Sequence, residues 1–428
     1  MKDLKNIYTD NLIIGAGVSG LAFASKLGDQ DYLILEKEDE VGGYCRTIKK
    51  EEFVWDYAGH FFHFSHPEIK EQFSELLNAE DTVYSYKNTK IYYKGKYIDY
   101  PFQFNIHQLR KPEFIECLCG LFEEKNKASY NSFKGMLYSN LGRGIADKFL
   151  IPYNEKLYAC DLDHLDVNAM GRFFPKADPG DIIRGFNGNK IKTYNDEFFY
   201  SAKGAEAFVF ELLKYVDESK IHTGEEIIRI DYKSKVAYTN SKQIHFKRLV
   251  NTMPFKQFLA VANIPHQQEY SANKVLVYNM GFDAPPVDSN IHWIYYPSKE
   301  ISFYRVGFYN NILNQKLMSL YIEIGLSSEE DVDLEKYKEN VLVDLKKVGI
   351  VKDQKLKAYS SIIMNPGYVH ISEKSQQEKN RIKEEIEKFD IYTIGRYGNW
   401  TYCSIEDCIY AAYQLAEKIS KRDIETFR

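Results

Sequence analysis

Residues 11–27 read "NLIIGAGVSGLAFASKL" and join a short apolar strand to an apolar-periodic helix. Three glycines, Gly15, Gly17 and Gly20, stand between the two elements with the spacing G-x-G-x-x-G. The first glycine permits a tight turn, the second lets a pyrophosphate approach the backbone, and the third lets the helix pack closely on the strand. The helix N-terminus then faces the anion. This stretch therefore predicts a dinucleotide-binding βαβ unit.

A second predicted strand follows the glycines and supports the same interpretation. It lies in "DYLILEKE", residues 31–38, and it ends at Glu36, about twenty residues after the first glycine. A carboxylate at this position accepts hydrogen bonds from the ribose hydroxyls of a bound adenosine. We therefore predict that Glu36 contacts the nucleotide.

Length and composition set limits on the rest of the molecule. A chain of 428 residues is too long for one compact core and predicts two or three subdomains. The net charge of −5 gives no general affinity for nucleic acid or an anionic membrane. The sequence contains no apolar run of the roughly 18 residues that a membrane helix needs, and its start lacks the apolar core of a signal peptide. We therefore expect a cytoplasmic protein without a membrane span.

The six cysteines do not have the spacing of zinc ligands, so no metal site is expected. We interpret them as reduced thiols. Tyrosine is abundant, with 34 residues beside 27 phenylalanines. Much of this aromatic content belongs to the core and the sheets, but tyrosine also suits a wet pocket because it combines a flat apolar ring with one hydroxyl.

The segment "EDEVGGYCRT", residues 38–47, narrows the choice of cofactor. It resembles the second signature of the FAD enzymes of the amine oxidase, phytoene desaturase and UDP-galactopyranose mutase clan. The resemblance implies that Gly42 and Gly43 run beneath the FAD diphosphate and ribityl chain and that Arg46 helps to hold them. Together with the first glycine motif, it predicts FAD and not NAD.

Two further segments resemble FAD-binding elements of that clan. "YTIGRYGNWTYCSIEDCIYAAYQLAEKI", residues 392–419, has a strand, a Gly-Arg turn and a helix, with Ser404 and Asp407 as a candidate capping box. The resemblance places Arg396, Tyr402 and the helix N-terminus near the flavin. "TGEEIIRIDY", residues 223–232, resembles a strand that closes the FAD domain, and the backbone around Ile227 is expected to meet the adenine.

A glycine-hinged aromatic loop, "YAGHFFHF", covers residues 57–64 and carries His60 and His63. It resembles the Gly-x-His-x-x-His loop of UDP-galactopyranose mutases, with the small residues in swapped order. The resemblance implies that the loop lies against the flavin and that both histidines act in catalysis by reporting or tuning charge near neutral pH. Two satisfied histidines beside an aromatic core remain the alternative.

Several residues downstream resemble the substrate site of the mutases. In "IPYNEKLYACDLDHL", residues 151–165, Tyr153 corresponds to a tyrosine near the sugar diphosphate, and Tyr158 stands where bacterial mutases have a tryptophan that stacks on uracil. Arg172 and Arg305 correspond to the two arginines that grip the diphosphate, and fork-shaped guanidinium groups suit that task. Tyr368, in "NPGYVH", corresponds to a tyrosine that contacts the diphosphate.

The resemblance is weaker around the mobile lid of the mutases. The glycine pair that follows the lid is replaced here by "FFYSAKGAEAF", residues 198–208, in which Tyr200 is a predicted substrate contact. This segment looks equally like one of the amine oxidase relatives. "NGNKIKTYND", residues 187–196, is the best candidate for the lid itself.

The predicted fold class is α/β, with a discontinuous Rossmann-like FAD-binding domain, a helical insertion and an antiparallel-sheet substrate domain. The FAD domain is expected to comprise residues 1–104, 198–260 and 386–428. The helical insertion covers residues 105–197, and the substrate domain covers residues 261–385.

Two functions are compatible with these motifs. The first is a flavin-dependent sugar-nucleotide mutase for surface polysaccharide synthesis. In such an enzyme, N5 of the reduced flavin attacks the anomeric carbon of a nucleotide-diphosphate sugar. It requires a reductant of the flavin, NAD(P)H or another. The second is an amine oxidase-type oxidoreductase, although no decisive lysine is evident. A homo-oligomer is compatible with either function.

Overall fold

The computed structural model describes residues 4–123, 130–174, 178–186 and 196–426. The strands are β1 (Lys5–Ile14), β2 (Tyr32–Leu35), β3 (Thr47–Lys50), β4 (Phe53–Asp56), β5 (Thr82–Tyr86), β6 (Thr89–Tyr93), β7 (Lys96–Asp99), β8 (Glu197–Ser201), β9 (Ile221–His222), β10 (Arg229–Asp231), β11 (Val236–Tyr238), β12 (Lys242–Asn251), β13 (Lys274–Phe282), β14 (Trp293–Tyr295), β15 (Arg305–Phe308), β16 (Ser319–Leu326), β17 (Leu356–Met364) and β18 (Ile391–Thr393). The helices are α1 (Val18–Ala24), α2 (Pro67–Gln72), α3 (Ser74–Leu77), α4 (Lys111–Glu123), α5 (Phe133–Ile145), α6 (Ile151–Tyr158), α7 (Pro179–Gly185), α8 (Glu206–Leu213), α9 (Phe255–Val261), α10 (Tyr309–Leu313), α11 (Leu334–Lys347), α12 (Glu373–Glu387), α13 (Gly395–Gly398) and α14 (Ile405–Thr426).

The first large sheet has the strand order β10-β11-β12-β1-β2-β9, and β18 also pairs with β12. Its centre is parallel, because β1 pairs in parallel with both β2 and β12 and because β18 runs parallel to β12. Residues along β1 alternate between two cores: Ile13 packs with the side chains of α1 and α14, whereas Leu12 and Ile14 pack with those of α9 and α12. Helices therefore cover both faces, as expected for a Rossmann-like sheet.

The second large sheet has the order β17-β13-β16-β15-β14-β6-β7. All its neighbours pair antiparallel except β14 and β6, which run parallel. The predicted antiparallel sheet is therefore present with one parallel junction. The predicted first FAD segment, residues 1–104, is wrong in one respect, because β6 and β7 lie within it and belong to this second sheet. Their alternating aromatic pattern fits either sheet, so only the pairing distinguishes them.

Helices α4 to α7 fill the described part of residues 105–197, in agreement with the predicted helical insertion. The side chains of α5 and α6 join those of the second sheet in one hydrophobic core. Lys156 on α6 also reaches the loop before β15, where its Nζ donates to the carbonyl oxygens of Tyr296 (2.9 Å), Ser298 (3.0 Å), Ile301 (2.8 Å) and Phe303 (2.5 Å). One ammonium group thus fixes α6 to the strand that carries Arg305.

Across the described parts of the chain, from residue 4 to residue 426 with three internal gaps, we find no helix with the length and apolarity to cross a membrane.

Candidate functional site

The G-x-G-x-x-G turn forms the cradle that its sequence predicts. Gly15 has a φ of +97°, and a Cβ on Gly20 would lie 2.0 Å from the carbonyl oxygen of Gly15, so the strand and helix meet too closely for a side chain there. Gly17 forms a parallel bridge with Gly42, and the Gly42 N–H donates to Ala16 O at 2.8 Å. The two predicted glycine segments therefore form one backbone surface without side chains.

Arg46 closes the second glycine turn. Gly42 and Gly43 have φ values of +106° and +58°, in the region that favours glycine. The Arg46 Nε donates to Gly43 O at 2.9 Å, and the guanidinium group lies 5.1 Å from the centre of the Tyr57 ring. Arg46 therefore supports the backbone of the second glycine turn, and its contact with a cofactor stays a prediction.

Glu36 is buried at the end of β2, beside the first glycine turn. Its two oxygens accept hydrogen bonds from Ala16 N at 2.7 Å and from Glu38 N at 3.0 Å. The Glu36 carbonyl also accepts from Glu225 N at 2.8 Å, which brings the segment containing Ile227 against this corner. The Ile227 side chain is buried in the core, so only its backbone can face a ligand. This arrangement suits the nucleotide end of a dinucleotide.

The histidine loop packs against the second sheet and against β8. Phe62 and Phe199 exchange backbone hydrogen bonds of 3.0 and 2.8 Å. A Cβ on Gly59 would lie 2.6 Å from the Tyr321 ring, and one on Gly307 would lie 2.0 Å from the same ring. Tyr321 is therefore held between two glycines, and Gly59 is needed for close packing against this ring.

His60 and His63 have different surroundings. His60 is near the charges of Arg305, Glu323 and Arg396, and its buried Nδ1 has no hydrogen-bond partner among the described residues. The His63 Nδ1–H instead donates to the carbonyl oxygen of Glu197 at 2.5 Å. His60 therefore belongs to the candidate site, whereas His63 fastens the loop to β8.

Burial lowers the pKa of both imidazoles to about 4. For His60, the Glu323 charge opposes this change, and the positive charges of Arg396 and Arg305 add to it. Both histidines are therefore neutral at pH 7, and neither changes charge near neutral pH in this state, contrary to the sequence-based expectation.

Glu406, in the first turn of α14, holds the end of the histidine loop, a role that no sequence motif indicates. Its carboxylate accepts hydrogen bonds from Ser65 N (2.6 Å), Ser65 Oγ (2.6 Å) and His66 N (2.8 Å). The side chain is buried with a relative exposure of 3%. An acidic residue in the first helical turn is too common to have marked this role.

The predicted capping box at α14 is present, and it also positions Arg172. Ser404 N donates to Asp407 Oδ2 at 2.8 Å, and Asp407 N donates to Ser404 Oγ at 3.1 Å. The other Asp407 oxygen, Oδ1, accepts from Arg172 Nη2 at 2.5 Å. Arg172 is partly exposed, with 42% of its side-chain surface accessible. It therefore lies beside the predicted cofactor helix and not in the buried part of the site.

Arg396 lies among three tyrosines in the turn before α14. Its guanidinium carbon is 4.6 Å from the centre of the Tyr402 ring, 5.2 Å from that of Tyr368 and 5.9 Å from that of Tyr397. The Nη1 group donates to Cys403 O at 3.0 Å, whereas the buried Nε has no partner among the described residues. Arg396 thus supplies a positive charge at the junction of the two sheets.

Arg305 faces the same cleft from β15 and forms an ion pair with the buried Glu323 of β16. Nε and Nη2 donate to the two carboxylate oxygens at 2.8 and 2.6 Å. Nη1 of Arg305 forms no hydrogen bond with any described residue, so this edge of the guanidinium group is available to a ligand. Tyr153 extends the wall through a T-shaped contact with Tyr295, with ring centres 5.0 Å apart.

Two predicted substrate contacts are not supported by their placement. Tyr158 is only 1% exposed, with its ring against Tyr368 at the end of α6, so it has no free face on which a base could stack. Tyr200 is 0% exposed, and its hydroxyl donates to Asp56 Oδ2 at 2.9 Å. Both residues belong to the hydrophobic core that the helical insertion shares with the second sheet.

The predicted lid, residues 187–196, lies outside the described residues except for Asp196. Within the described part of the chain, the structure shows no group of three or more His, Cys, Asp or Glu side chains that could hold a metal ion.

The chain is similar in sequence or in fold to several known proteins. The family described as NAD(P)-binding Rossmann-like domain matches residues 13–76. A crystal structure of reduced UDP-galactopyranose mutase superposes with a TM-score of 0.88 at 21% identity and covers 96% of both chains. Cyclohexylamine oxidase from Brevibacterium oxydans superposes with a TM-score of 0.68 at 14% identity and covers 96% of this chain and 99% of that one.

A sequence relative gives a more limited match. A probable flavin-containing monoamine oxidase A of Dictyostelium discoideum is 31% identical over 127 residues. The match covers 28% of this chain and 25% of the length of the relative.

These findings confirm the predicted fold. Residues 13–76 match a Rossmann-like dinucleotide-binding domain, and the chain as a whole has the fold seen in the crystal structure of reduced UDP-galactopyranose mutase.

Proposed function

We propose that the chain is an FAD-dependent enzyme that interconverts the pyranose and furanose forms of a nucleotide-diphosphate sugar. The arrangement of Arg305, Arg396 and neutral His60 around one cleft carries this proposal. Glu323 already neutralises Arg305, so Arg396 leaves the cleft with a net positive charge. A cleft of this charge favours an anionic ligand such as a diphosphate.

The residues of the glycine cradle fit FAD. Gly15, Gly17, Gly42 and Gly43 offer backbone without side chains to a diphosphate, and Glu36 lies where a ribose is expected. When bound and reduced, FAD would supply the nucleophile for the anomeric carbon of the sugar, and NAD(P)H or another reductant would have to prime it.

The protein's own contribution is to bind and orient the substrate. The Nη1 edge of Arg305 would hold one phosphate, while Glu323 fixes the plane of the guanidinium group. Tyr368 and Tyr402, which stack with ring centres 5.7 Å apart, place two hydroxyls beside Arg396. Charge on a departing diphosphate would thus be stabilised by groups already in position. Arg172 would need to leave Asp407 to take part as a second clamp.

The decisive experiment uses the purified FAD-loaded protein, reduced with dithionite under nitrogen. UDP-galactose and other nucleotide sugars are added, and the products are separated by chromatography. We expect a nucleotide-dependent change in the flavin spectrum and conversion of one sugar ring form into the other. Reduced protein that neither binds UDP nor converts any nucleotide sugar would contradict the proposal.

An amine oxidase-type oxidoreductase is the second candidate, and two observations favour it. The cleft is lined by tyrosines, and the sequence relative with 31% identity is a monoamine oxidase by description. The cationic groups disfavour it, because a protonated amine would be repelled by Arg396. Oxygen consumption with amine substrates, together with no binding of UDP, would establish this alternative.

We also propose that the enzyme acts in the cytoplasm in the synthesis of surface polysaccharide, with a nucleotide-diphosphate sugar as its partner. Direct assay of the nucleotide sugar pool in cells with and without the gene tests this placement.

A further inference from the structure

Two cysteines lie side by side where α14 begins. The Sγ atoms of Cys403 and Cys408 are 3.6 Å apart. Since a disulfide bond is about 2.05 Å long, a shift of about 1.5 Å would join them. The other four cysteines are also free thiols, and Cys45 and Cys117 among them are buried.

The pair borders the predicted cofactor cleft. The carbonyl oxygen of Cys403 accepts the hydrogen bond from Arg396 Nη1 at 3.0 Å. On its other side, Cys408 contacts the hydroxyl of Ser19, in the first turn of α1 after the glycine cradle. Ser19 also packs against the turn before Arg396, where a Cβ on Gly395 would lie 2.4 Å from its Oγ. Movement of the pair therefore reaches Arg396 and the cradle directly.

The two thiols differ in access and in acidity. Cys403 is partly exposed, whereas Cys408 is buried. The hydrogen bond between them raises the pKa of Cys403 and lowers that of Cys408, which Ser19 also stabilises as a thiolate. Cys403 is thus the more accessible and the less acidic thiol, so its attack on an external disulfide should be slow at pH 7, whereas the more readily ionised Cys408 is suited to the second attack.

We propose that Cys403 and Cys408 form a redox modification site that exchanges with small disulfides such as oxidised glutathione. Cys403 forms a bond to one sulfur of the external disulfide, whose S–S bond breaks, and the first thiol leaves with the proton of Cys403. Cys408 then loses its proton and its thiolate attacks Sγ of Cys403, so the internal disulfide forms and the bond between Cys403 and the external sulfur breaks. The second external thiol leaves with the proton that Cys408 released. Two protein thiols are oxidised and one external disulfide is reduced to two thiols.

Closure of this bond displaces the Cys403 carbonyl from Arg396. Because that carbonyl orients the guanidinium group, the oxidised protein should hold FAD less tightly. Loss of one hydrogen bond corresponds to roughly a threefold to tenfold rise in the dissociation constant.

The first experiment counts thiols in the full-length protein, before and after incubation with oxidised glutathione, with quenching and alkylation in denaturant. The count is made on the Cys119→Ser variant, because Cys119 is exposed and can form its own mixed disulfide with glutathione. We expect titratable thiols to fall from five to three and the peptides containing Cys403 and Cys408 to be cross-linked. Retention of all five thiols, or a stable glutathione adduct on Cys403 in this variant, would overturn the proposal. This readout does not depend on the enzyme's activity, so it separates the site from the proposed function.

Variants that also carry Cys119→Ser assign the order of the steps. Cys408→Ser should trap one glutathione on Cys403, and Cys403→Ser should lose no thiols to glutathione. Cys160→Ser, which alters a partly exposed cysteine away from the pair, should still lose two thiols. The FAD dissociation constant should rise with oxidation in Cys160→Ser and stay constant in Cys403→Ser. Equal constants for oxidised and reduced Cys160→Ser would overturn the link to Arg396.

Discussion

Arg305 and Glu323 face each other on two neighbouring antiparallel strands and form a two-pronged ion pair, with N–O distances of 2.8 and 2.6 Å. The carboxylate is 1% exposed, so the pair is held inside the wall of the cleft. Glu323 therefore fixes the orientation of the Arg305 guanidinium group in the absence of a ligand. It also neutralises the positive charge of that group. The proposed role of Arg305 in binding a phosphate therefore depends on the orientation of its guanidinium group more than on a net charge.

Arg305→Ala should destabilise the protein by about 3–5 kcal/mol, because it leaves the Glu323 carboxylate buried without a partner. Urea unfolding at pH 7 measures this change. The double variant Arg305→Met with Glu323→Met removes both charges and should be at least 2 kcal/mol more stable than Arg305→Ala. If the two variants unfold at the same urea concentration, the ion pair does not have the buried character described here. Both variants should lose turnover, which separates stability from substrate binding.

Gly59→Ala should destabilise the protein by about 1–3 kcal/mol, since the new methyl group would meet the Tyr321 ring at 2.6 Å. The ring cannot retreat, because Gly307 lies close on another side of it. Thermal unfolding provides the measurement. Gly120→Ala in α4 is the matched control: a Cβ there meets only ordinary contacts of 3.5 Å or more, and its stability should be equal or higher. A Gly59→Ala variant as stable as this control would contradict the close packing of the loop.

Stability should fall as the pH drops from about 6.5 towards 4, because burial lowers the pKa of His60 and His63 from 6.5 to about 4 in the folded state. Between these values the unfolded chain binds more protons than the folded chain, so each histidine opposes folding there and not above pH 6.5. His60→Gln should reduce this acid-induced loss by on the order of 1–2 kcal/mol after allowance for partial solvent screening.

The measurement is urea unfolding of His60→Gln and the parent protein at a series of pH values. The exposed His107 offers a matched control, and His107→Gln should keep the parent's pH dependence. If His60→Gln shows the same slope as the parent between pH 6.5 and 4, the imidazole is not held neutral by its surroundings.

Asp407→Asn and Arg172→Ala should have different effects, although they break the same ion pair. Asp407 also caps α14, so its substitution should cost about 1 kcal/mol, whereas a half-exposed ion pair alone contributes about 0–1 kcal/mol. Arg172→Ala should leave stability nearly unchanged and raise KM for a nucleotide sugar if Arg172 joins the diphosphate clamp. Thermal unfolding and steady-state kinetics test the two effects. A larger stability loss for Arg172→Ala than for Asp407→Asn would contradict the cap.

Local sequence signals were sufficient to predict the glycine turns of the Rossmann-like half of the molecule. Gly15, Gly42 and Gly43 have positive φ values, and Gly20 lies too close to Gly15 for a side chain, so the residue type itself indicates these positions. The capping box of Ser404 and Asp407 is equally local. These predictions required no knowledge of distant contacts.

The roles of single residues in the other half of the molecule were harder to predict, because they depend on contacts between segments that are distant in the sequence. Nothing around Tyr158 or Tyr200 distinguishes a core tyrosine from one that lines a cleft, since the same side chain serves both purposes. Glu323 lies 18 residues after Arg305, and only the pairing of β15 with β16 brings them together. The pairing of β6 with β14 likewise joins residues about 200 positions apart and could not be read from local pattern.

The ammonium group of Lys156 lies within hydrogen-bonding distance of four carbonyl oxygens in the loop that precedes Arg305. Tyr153 lies one helical turn earlier on the same helix, so the tyrosine and the arginine on this side of the cleft belong to one stiff unit. Ligands of different size therefore cannot be accommodated by moving these two groups apart. Under the proposed function, selectivity for the sugar on this side is steric and fixed by the packing of the folded chain. Relaxing it would require substitution of Lys156 before substitution of the residues that would touch the ligand.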